Sequence, residues 1–432
     1  MTSIPQKSLF GWEDDIENLG DLVRLKLVMD YLPDEALMVK LERERGKGRD
    51  DFPVRAMWNL ILAMFLFDHA SDASVIRELN RNGQLKHLCG FGFGKTPKAH
   101  NLSRFRSALL KHLDDIEAIF TSLCDDLYGI LKGFGEELAI DSKWVESAAS
   151  RVSQRKKPDG RSETEARKGV KTYRGKREDG STWEKVVTCF GFKIHLLVDA
   201  VYELPVAFKV TDAAASDISE GKKLIEGLLK KRPKVMETAK YLMADKGYDD
   251  TELIETLTEE GVKAVIDKRD MWKTQMEKEV PGYEDAYYDE NGNVYCYSPI
   301  KGERRMMTPN GYEAKRDAAR YKCPAKAYGI KCPEQELCHC KNIRIPLETD
   351  RRIFTRVQRG SYKWRRYYDK RTAVERVNSR FDVIFGFERR LVRGKARMTL
   401  NVSLVLSVML AMAMGRINNK QEELIRSVVR VA

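Results

Sequence analysis

The chain has 432 residues, 42% of them hydrophobic, and a formal charge of +12 at neutral pH. That composition reads as globular, with length enough for two or three domains, and eight scattered cysteines exclude a small secreted disulfide scaffold and suit a reducing cytoplasm. The charge is uneven: residues 1–136 hold 18 Lys/Arg against 21 Asp/Glu, whereas residues 351–432 hold 20 against 6. A basic excess at one end points to a polyanion, of which nucleic acid is the commonest.

Residues 1–130 read as helical. "AMWNLILAMFLF" (56–67) starts a helix just after Pro53, and "SVIRELNRN" starts another with Ser74 as the expected N-cap. Gly90, Gly92 and Gly94 lack the spacing of a phosphate-binding loop and read as a plain turn. From residue 137 the pattern changes to strands. "ELAIDSKWVESA" is an apolar run that turns polar. A basic, Gly-containing loop is expected over 151–177. "EKVVTCFGFKIHLLVDA" and "LPVAFKVT" read as two strands joined by a tight turn at "VYE". A helix capped by Ser216 or Asp217 follows, then the strand "KYLMAD", the helix "TELIETLTEEG" and the strand "KAVID". The expected class is a mixed α/β sheet with flanking helices. Residues 268–365 break the rhythm with a hairpin signal, "YYDENGNVYCY", and five of the eight cysteines, as an inserted module would. "MTLNVSLVLSVMLAMAM" (398–414) is too short for a bilayer and contains Asn401, Ser403 and Ser407, so it is expected as a buried core helix rather than a membrane span. No charged-then-apolar signal peptide opens the sequence.

The stretch "YYDKRTAVERVNSRFD" (367–382) is read as a helix. At about 100° per residue, Tyr368, Arg371, Glu375 and Asp382 fall on one stripe roughly 60° wide. An aromatic, a cation and two carboxylates make an unusual stripe, one that faces water or a charged ligand. Two further acids follow apolar strand residues: Asp141 after "LAI" and Asp245 after "YLMA". An isolated Asp in that setting is costly to bury. Converging carboxylates that share two hard divalent cations are a standard device for in-line attack on a phosphodiester. Asp141, Asp245 and Glu375 are therefore the candidate catalytic and metal-binding residues, with hard divalent cations between them. Arg371 would hold a phosphate, and Tyr368 would stack on or hydrogen-bond to DNA.

Here the sequence resembles a family. "AIDSK", "MADKGYD" and "YDKRTAVERVNSRFD" are similar to the three catalytic blocks of bacterial insertion-sequence DDE transposases of the branch with the Y-x2-R-x3-E-x6-K signature. "GFKIHLLVDA…LPVAFKVTDAAASD" and "RELNRNGQLKHLCGFG…LSRFRSAL" resemble the intervening hairpin and the helical N-terminal domain. The resemblance implies a ribonuclease-H-like catalytic domain, Mg²⁺ or Mn²⁺ as cofactor, movement of a DNA element, the triad Asp141, Asp245 and Glu375, and the signature Tyr368 and Arg371. The final signature Lys falls on Asp382, with Arg380 nearby but about 160° round the helix. The implied organisation is a helical, DNA-binding domain (1–130), a catalytic domain in two parts (131–267 and 366–432) and the insertion between them (268–365). The implied partners are double-stranded DNA, as element terminal inverted repeats and as target, and a second copy of the chain; the implied location is the bacterial cytoplasm, on the nucleoid.

Arg365, Arg366 and Lys370 add candidate DNA contacts, and "SYKWRRYY" interleaves aromatic with basic residues around Trp364. Cys323, Cys332, Cys338 and Cys340, with Cys296 and His339 nearby, could hold a structural Zn²⁺, although their spacing is not that of a standard knuckle. Lys193 and His195 alternate onto one strand face, where a satisfied structural histidine is the simpler reading. Two alternatives stand beside the transposase: a ribonuclease-H-like nuclease that cuts without joining, and a catalytically decayed DNA-binding derivative, which Asp382 keeps open.

Overall fold

In the computed structural model the described residues are 19–46, 52–92, 95–149, 162–177, 179–269, 271–272, 277–298, 302–329, 332, 341–390 and 392–430. Seven helices come first: α1 (Leu22–Tyr31), α2 (Glu35–Arg45), α3 (Val54–Leu66), α4 (Asp72–Arg81), α5 (Gly83–Cys89), α6 (Ala99–Leu109) and α7 (Leu113–Ile130). Helix α3 is apolar on every side and buried from Ala56 to Leu66, the pattern of a helix enclosed by others. Helix α4 starts earlier than its apolar periodicity predicts. Its cap is Ser71, whose hydroxyl oxygen accepts the Ser74 N–H at 3.2 Å, so Ser74 lies inside the first turn.

The sheet follows: β1 (Glu137–Glu146), β2 (Arg167–Lys176), β3 (Thr182–Asp199) and β4 (Leu204–Asp212), then helices α8 (Asp217–Lys231) and α9 (Pro233–Thr238), strand β5 (Tyr241–Ala244), helix α10 (Thr251–Glu259) and strand β6 (Lys263–Ile266). Strands β4, β3 and β1 form an antiparallel meander, and β5 and β6 join β1 in parallel. This is the mixed, ribonuclease-H-like sheet with flanking helices that the sequence led us to expect. One departure is local. Residues 167–176, expected as loop, are strand β2, paired residue for residue with Thr182–Gly191 of β3.

Residues 278–346 form two small sheets: β7 (Lys278–Val280), β8 (Tyr283–Tyr288), β9 (Val294–Tyr297) and β10 (Arg304–Met306), then β11 (Thr308–Glu313), β12 (Ala318–Lys322) and β13 (Asn342–Pro346), with the one-turn helix α11 (Pro324–Tyr328) between the last two. They enclose a core of their own, including Val280, Ala286, Ile343, Ile345 and Phe354. Arg352 ties this unit back by donating to the buried Asp249 carboxylate, and Arg359 donates to the Ile266 carbonyl at 2.6 Å.

The chain then returns through α12 (Tyr362–Tyr368), α13 (Thr372–Ser379) and α14 (Lys395–Asn418). The last, apolar enough by composition to cross a membrane, is 89% buried across its most apolar window and packs on α1, α3, α7 and β4. Its Asn401, buried among apolar neighbours, accepts from Arg106 at 3.3 Å. The N-terminal helices and the sheet thus share one continuous core.

Candidate active site

Strand alternation divides β1 into two faces. Asp141 and Lys143 point one way, Ser142 and Trp144 the other. Asp141 lies in mid-strand, not at a strand end as the sequence suggested, because the antiparallel pairing with β3 continues to Glu146. The parallel pairing with β5 stops earlier, at Ile140 opposite Ala244. Asp141 and Asp245 are therefore each the first residue beyond the last parallel pair, on adjacent strands. Each is anchored by one oxygen: Asp141 Oδ1 accepts the Ser142 N–H and Asp245 Oδ1 the Gly247 N–H, both at 2.7 Å. A Cβ at position 247 would sit 2.7 Å from Asp245 Oδ1, so the tight turn after β5 needs glycine there. Burial pushes the Asp141 carboxyl up to about 6, with the negative charge of Asp245 adding to the shift and the Ser142 N–H, Lys171 and Arg371 opposing it.

Behind β1 the polar groups are closed off among themselves. Asp217 accepts from Ser142 Oγ at 2.7 Å and from Lys193 Nζ at 2.9 Å. It therefore does not cap α8, which has no side-chain cap. His195 is fully buried, and its Nε2 is 3.0 Å from Thr211 Oγ1. Burial holds its pKa below the usual histidine range, so it is a neutral core residue, but it is only half satisfied: its Nδ1 has no hydrogen-bond partner among the described residues and lies 4.0 Å from Asp217 Oδ1.

The predicted helix over 367–382 is not continuous. Helix α12 ends at Tyr368, a 3₁₀ turn spans Asp369–Arg371, α13 runs over Thr372–Ser379, and a π turn covers Arg380–Ile384. Glu375 is exposed on α13, and Arg371 Nη1 lies 2.7 Å from its Oε1. The Tyr368 ring stacks on Trp364, with centroids 4.7 Å apart and planes within 12°, and carries the Arg371 guanidinium 5.6 Å from its centroid. Arg359 lies 5.7 Å over Trp364. The pile Arg359–Trp364–Tyr368–Arg371 occupies the ring that the sequence offered to DNA for stacking, and holds Arg371 in place instead. Arg365 and Arg366 are exposed. Lys370 is set apart from them. It pairs with Glu137 at the start of β1, beside the Tyr241–Tyr367 stack.

The π turn places Asp382 on Lys143, at 2.5 Å, and Glu388 holds the same ammonium at 2.8 Å. Lys143 was not singled out from the sequence. Neither was Asp267, which follows β6 directly and, after burial, is the largest charge raising the Tyr368 hydroxyl pKa. The signal for Asp267 was present: "AVID" repeats the apolar-strand-then-Asp pattern of "LAID" and "LMAD".

In the insertion, Cys323 is buried and Cys332 Sγ accepts from Arg305 at 2.9 Å, while Cys338, Cys340 and His339 lie outside the described residues. Among the described residues no three His, Cys, Asp or Glu side chains are grouped to hold a metal ion. The Glu375 carboxylate is engaged by Arg371. The two aspartates do fit a divalent cation: they are adjacent, one is raised by burial and by the other's charge, and each is anchored through one oxygen.

With this geometry in place the comparisons are direct. The transposase DDE domain family model matches residues 133–411, which span β1 to α14 with all three candidate carboxylates. The chain belongs to the DDE transposase family. A second model, Transposase domain (DUF772), matches residues 13–108 of this DDE transposase, over helices α1 to α6. The piggyBac transposase, seen by cryo-EM in a synaptic complex with hairpin DNA, aligns with a TM-score of 0.41 at 12% identity, over 96% of this chain and 80% of that one, a likeness too distant to add to the argument. No curated protein matches it significantly.

Proposed function

We propose that this DDE transposase cuts and joins the ends of a mobile insertion element, with Asp141, Asp245 and Glu375 as catalytic carboxylates. The observation that supports this best is the pairing of Asp141 with Asp245, side by side where β1 and β5 part, with Arg371 and Glu375 on the facing helix. Two half-buried acids in that position repel each other, and a divalent cation would relieve that repulsion. Asp141 and Asp245 would hold Mg²⁺ or Mn²⁺, with Glu375 as the third carboxylate. Such ions, when bound, activate the attacking water or 3′-hydroxyl and stabilise the leaving oxygen.

The chain's own side chains do the positioning. Arg371 is preset by the Tyr368–Trp364 stack and presents a planar fork suited to a phosphate. When Arg371 turns to a DNA phosphate it releases Glu375, so substrate binding and completion of the carboxylate triad are one exchange. Arg365 and Arg366, exposed one to two turns earlier, add phosphate contacts that position the duplex without reading its sequence. The partners are element terminal inverted repeats and target DNA, engaged by a homodimer. The test is a joining assay: a pre-cut duplex carrying the element's terminal repeat, supercoiled target plasmid, and Mg²⁺. Covalently joined product is expected. Cutting of uncut ends with no joined product would leave a nuclease and remove the transposition step.

A further inference from the structure

The β2–β3 ribbon has no role in the chemistry described above, yet it carries much of what is exposed and apolar on this molecule. From Phe192 onward β3 lies between β1 and β4; from Thr182 to Phe190 its paired partner among the described strands is β2. The ribbon is therefore a two-stranded arm extending past the sheet. Such an arm is marginal in water by itself. Of the twelve large hydrophobic side chains exposed among the described residues, four are here: Val170 (57%), Tyr173 (49%), Trp183 (38%) and Val186 (54%).

Register sorts them onto faces. Tyr173 stands opposite Lys185, and Gly175 opposite Trp183, so Lys171, Tyr173, Trp183 and Lys185 share one face. The Trp183 indole lies across Gly175, where a Cβ would come within 2.6 Å of Nε1, so the aromatic surface is laid flat along the ribbon. At the root of the same face Lys171 Nζ sits 5.0 Å over the ring of Trp144, three residues beyond Asp141 on β1. The row of lysines and aromatics thus begins on the Trp144 face of β1, the side of the sheet opposite Asp141, and runs outward. Residues 167–190 hold seven Lys/Arg against three Asp/Glu, and no described carboxylate forms a salt bridge with Lys168, Lys171 or Lys185.

We infer that this ribbon is a DNA-binding arm: its Lys171–Tyr173–Trp183–Lys185 face, on the side of the sheet away from Asp141, lies along a DNA duplex. The inference rests on the transposase reading. Charge decides the occupant. A second copy of the arm would bring like charges together, whereas a polyanion is attracted by the lysines and tolerates the aromatics against sugars and base edges. A ten-residue ribbon is roughly 34 Å long, and a two-stranded ribbon fits the DNA major groove, which is about 12 Å wide.

The experiment is fluorescence anisotropy of the full chain with a labelled 30-bp duplex (roughly the length of the arm plus a site) across a salt series. Variants are Lys185→Ala, Lys171→Ala/Lys185→Ala and Tyr173→Ala/Trp183→Ala. Removing both lysines should lower the slope of log K against log salt by about two, Lys185→Ala alone by about one, and the aromatic pair should weaken binding without changing the slope. Lys185 is exposed and should leave the fold intact, so it keeps the test decisive even where the double variants are destabilised. An unchanged slope in Lys185→Ala and the double-lysine variant, with wild-type binding intact, overturns the arm alone. If those variants bind DNA normally but Tyr173→Ala/Trp183→Ala turns a dimer into monomers in sedimentation, the face is a protein interface instead. Wild-type protein that fails to bind duplex at all overturns the transposase reading beneath it.

Discussion

Asp141→Asn should abolish DNA cleavage and yet stabilise the metal-free protein. Asp141 is charged at neutral pH although burial, reinforced by Asp245, has raised its pKa from 3.8 to about 6. That rise corresponds to about 3 kcal/mol of unfavourable free energy for holding the charge in the folded state, an upper bound because the carboxylate is only partly enclosed. The sign follows from proton binding. Between pH 3.8 and about 6 the folded protein binds more protons here than the unfolded chain, so this residue's contribution to stability is fully present below pH 3.8 and is lost as pH rises through 6. Asparagine keeps the shape and removes the charge. In EDTA, urea unfolding at pH 7.5 should show Asp141→Asn more stable than wild type by about 1–3 kcal/mol, with the gap closing toward pH 4. Added Mg²⁺ should then stabilise wild type and leave the variant little changed. A variant less stable than wild type at pH 7.5 in EDTA would refute the reasoning, since Asp141 would then be a structural anchor rather than a charge held for a cation.

Asp382→Lys would bring a second ammonium against Lys143, leaving only the more exposed Glu388 as counter-charge. It should cost about 1–3 kcal/mol in denaturant unfolding, between the surface and buried limits, and Lys143→Asp/Asp382→Lys should regain most of it. Arg371→Ala should slow cleavage or weaken end binding by roughly 1.5–3 kcal/mol, with Arg371→Lys recovering only part, as single-turnover rates and binding titrations will show. For the insertion, metal analysis of protein purified without chelator should find about one zinc per chain if Cys323, Cys332, Cys338 and Cys340 form a site, and none if they do not.

The order of strands and helices was legible because each apolar run is bounded by its own turn residues, and three of those runs end in aspartate. What was hidden depended on partners distant in the chain. Residues 167–176 look like loop because an arm with two exposed faces shows no apolar alternation, and only the register with β3 makes it a strand. The stripe over 367–382 presumes constant helical geometry, and the 3₁₀ and π turns around α13 break that presumption. They turn Asp382 to Lys143, a pairing 239 residues apart that no local pattern announces. The sequence pattern reads Tyr368 as part of the Glu375 helix, but it ends the preceding one, α12, where its stacking partner one turn earlier, Trp364, sets it beside Arg371.

The most direct test of the carboxylate site is Mg²⁺-dependent cleavage of a duplex carrying the element's end, with Asp141→Ala, Asp245→Ala and Glu375→Ala compared at matched DNA occupancy. On the proposed reading, binding would rest on lysine and arginine contacts to phosphates and the carboxylates would hold the cation, so each variant should bind close to wild type and cut at background rate. Cleavage at near wild-type rate by any one of them would contradict that residue's place in the site.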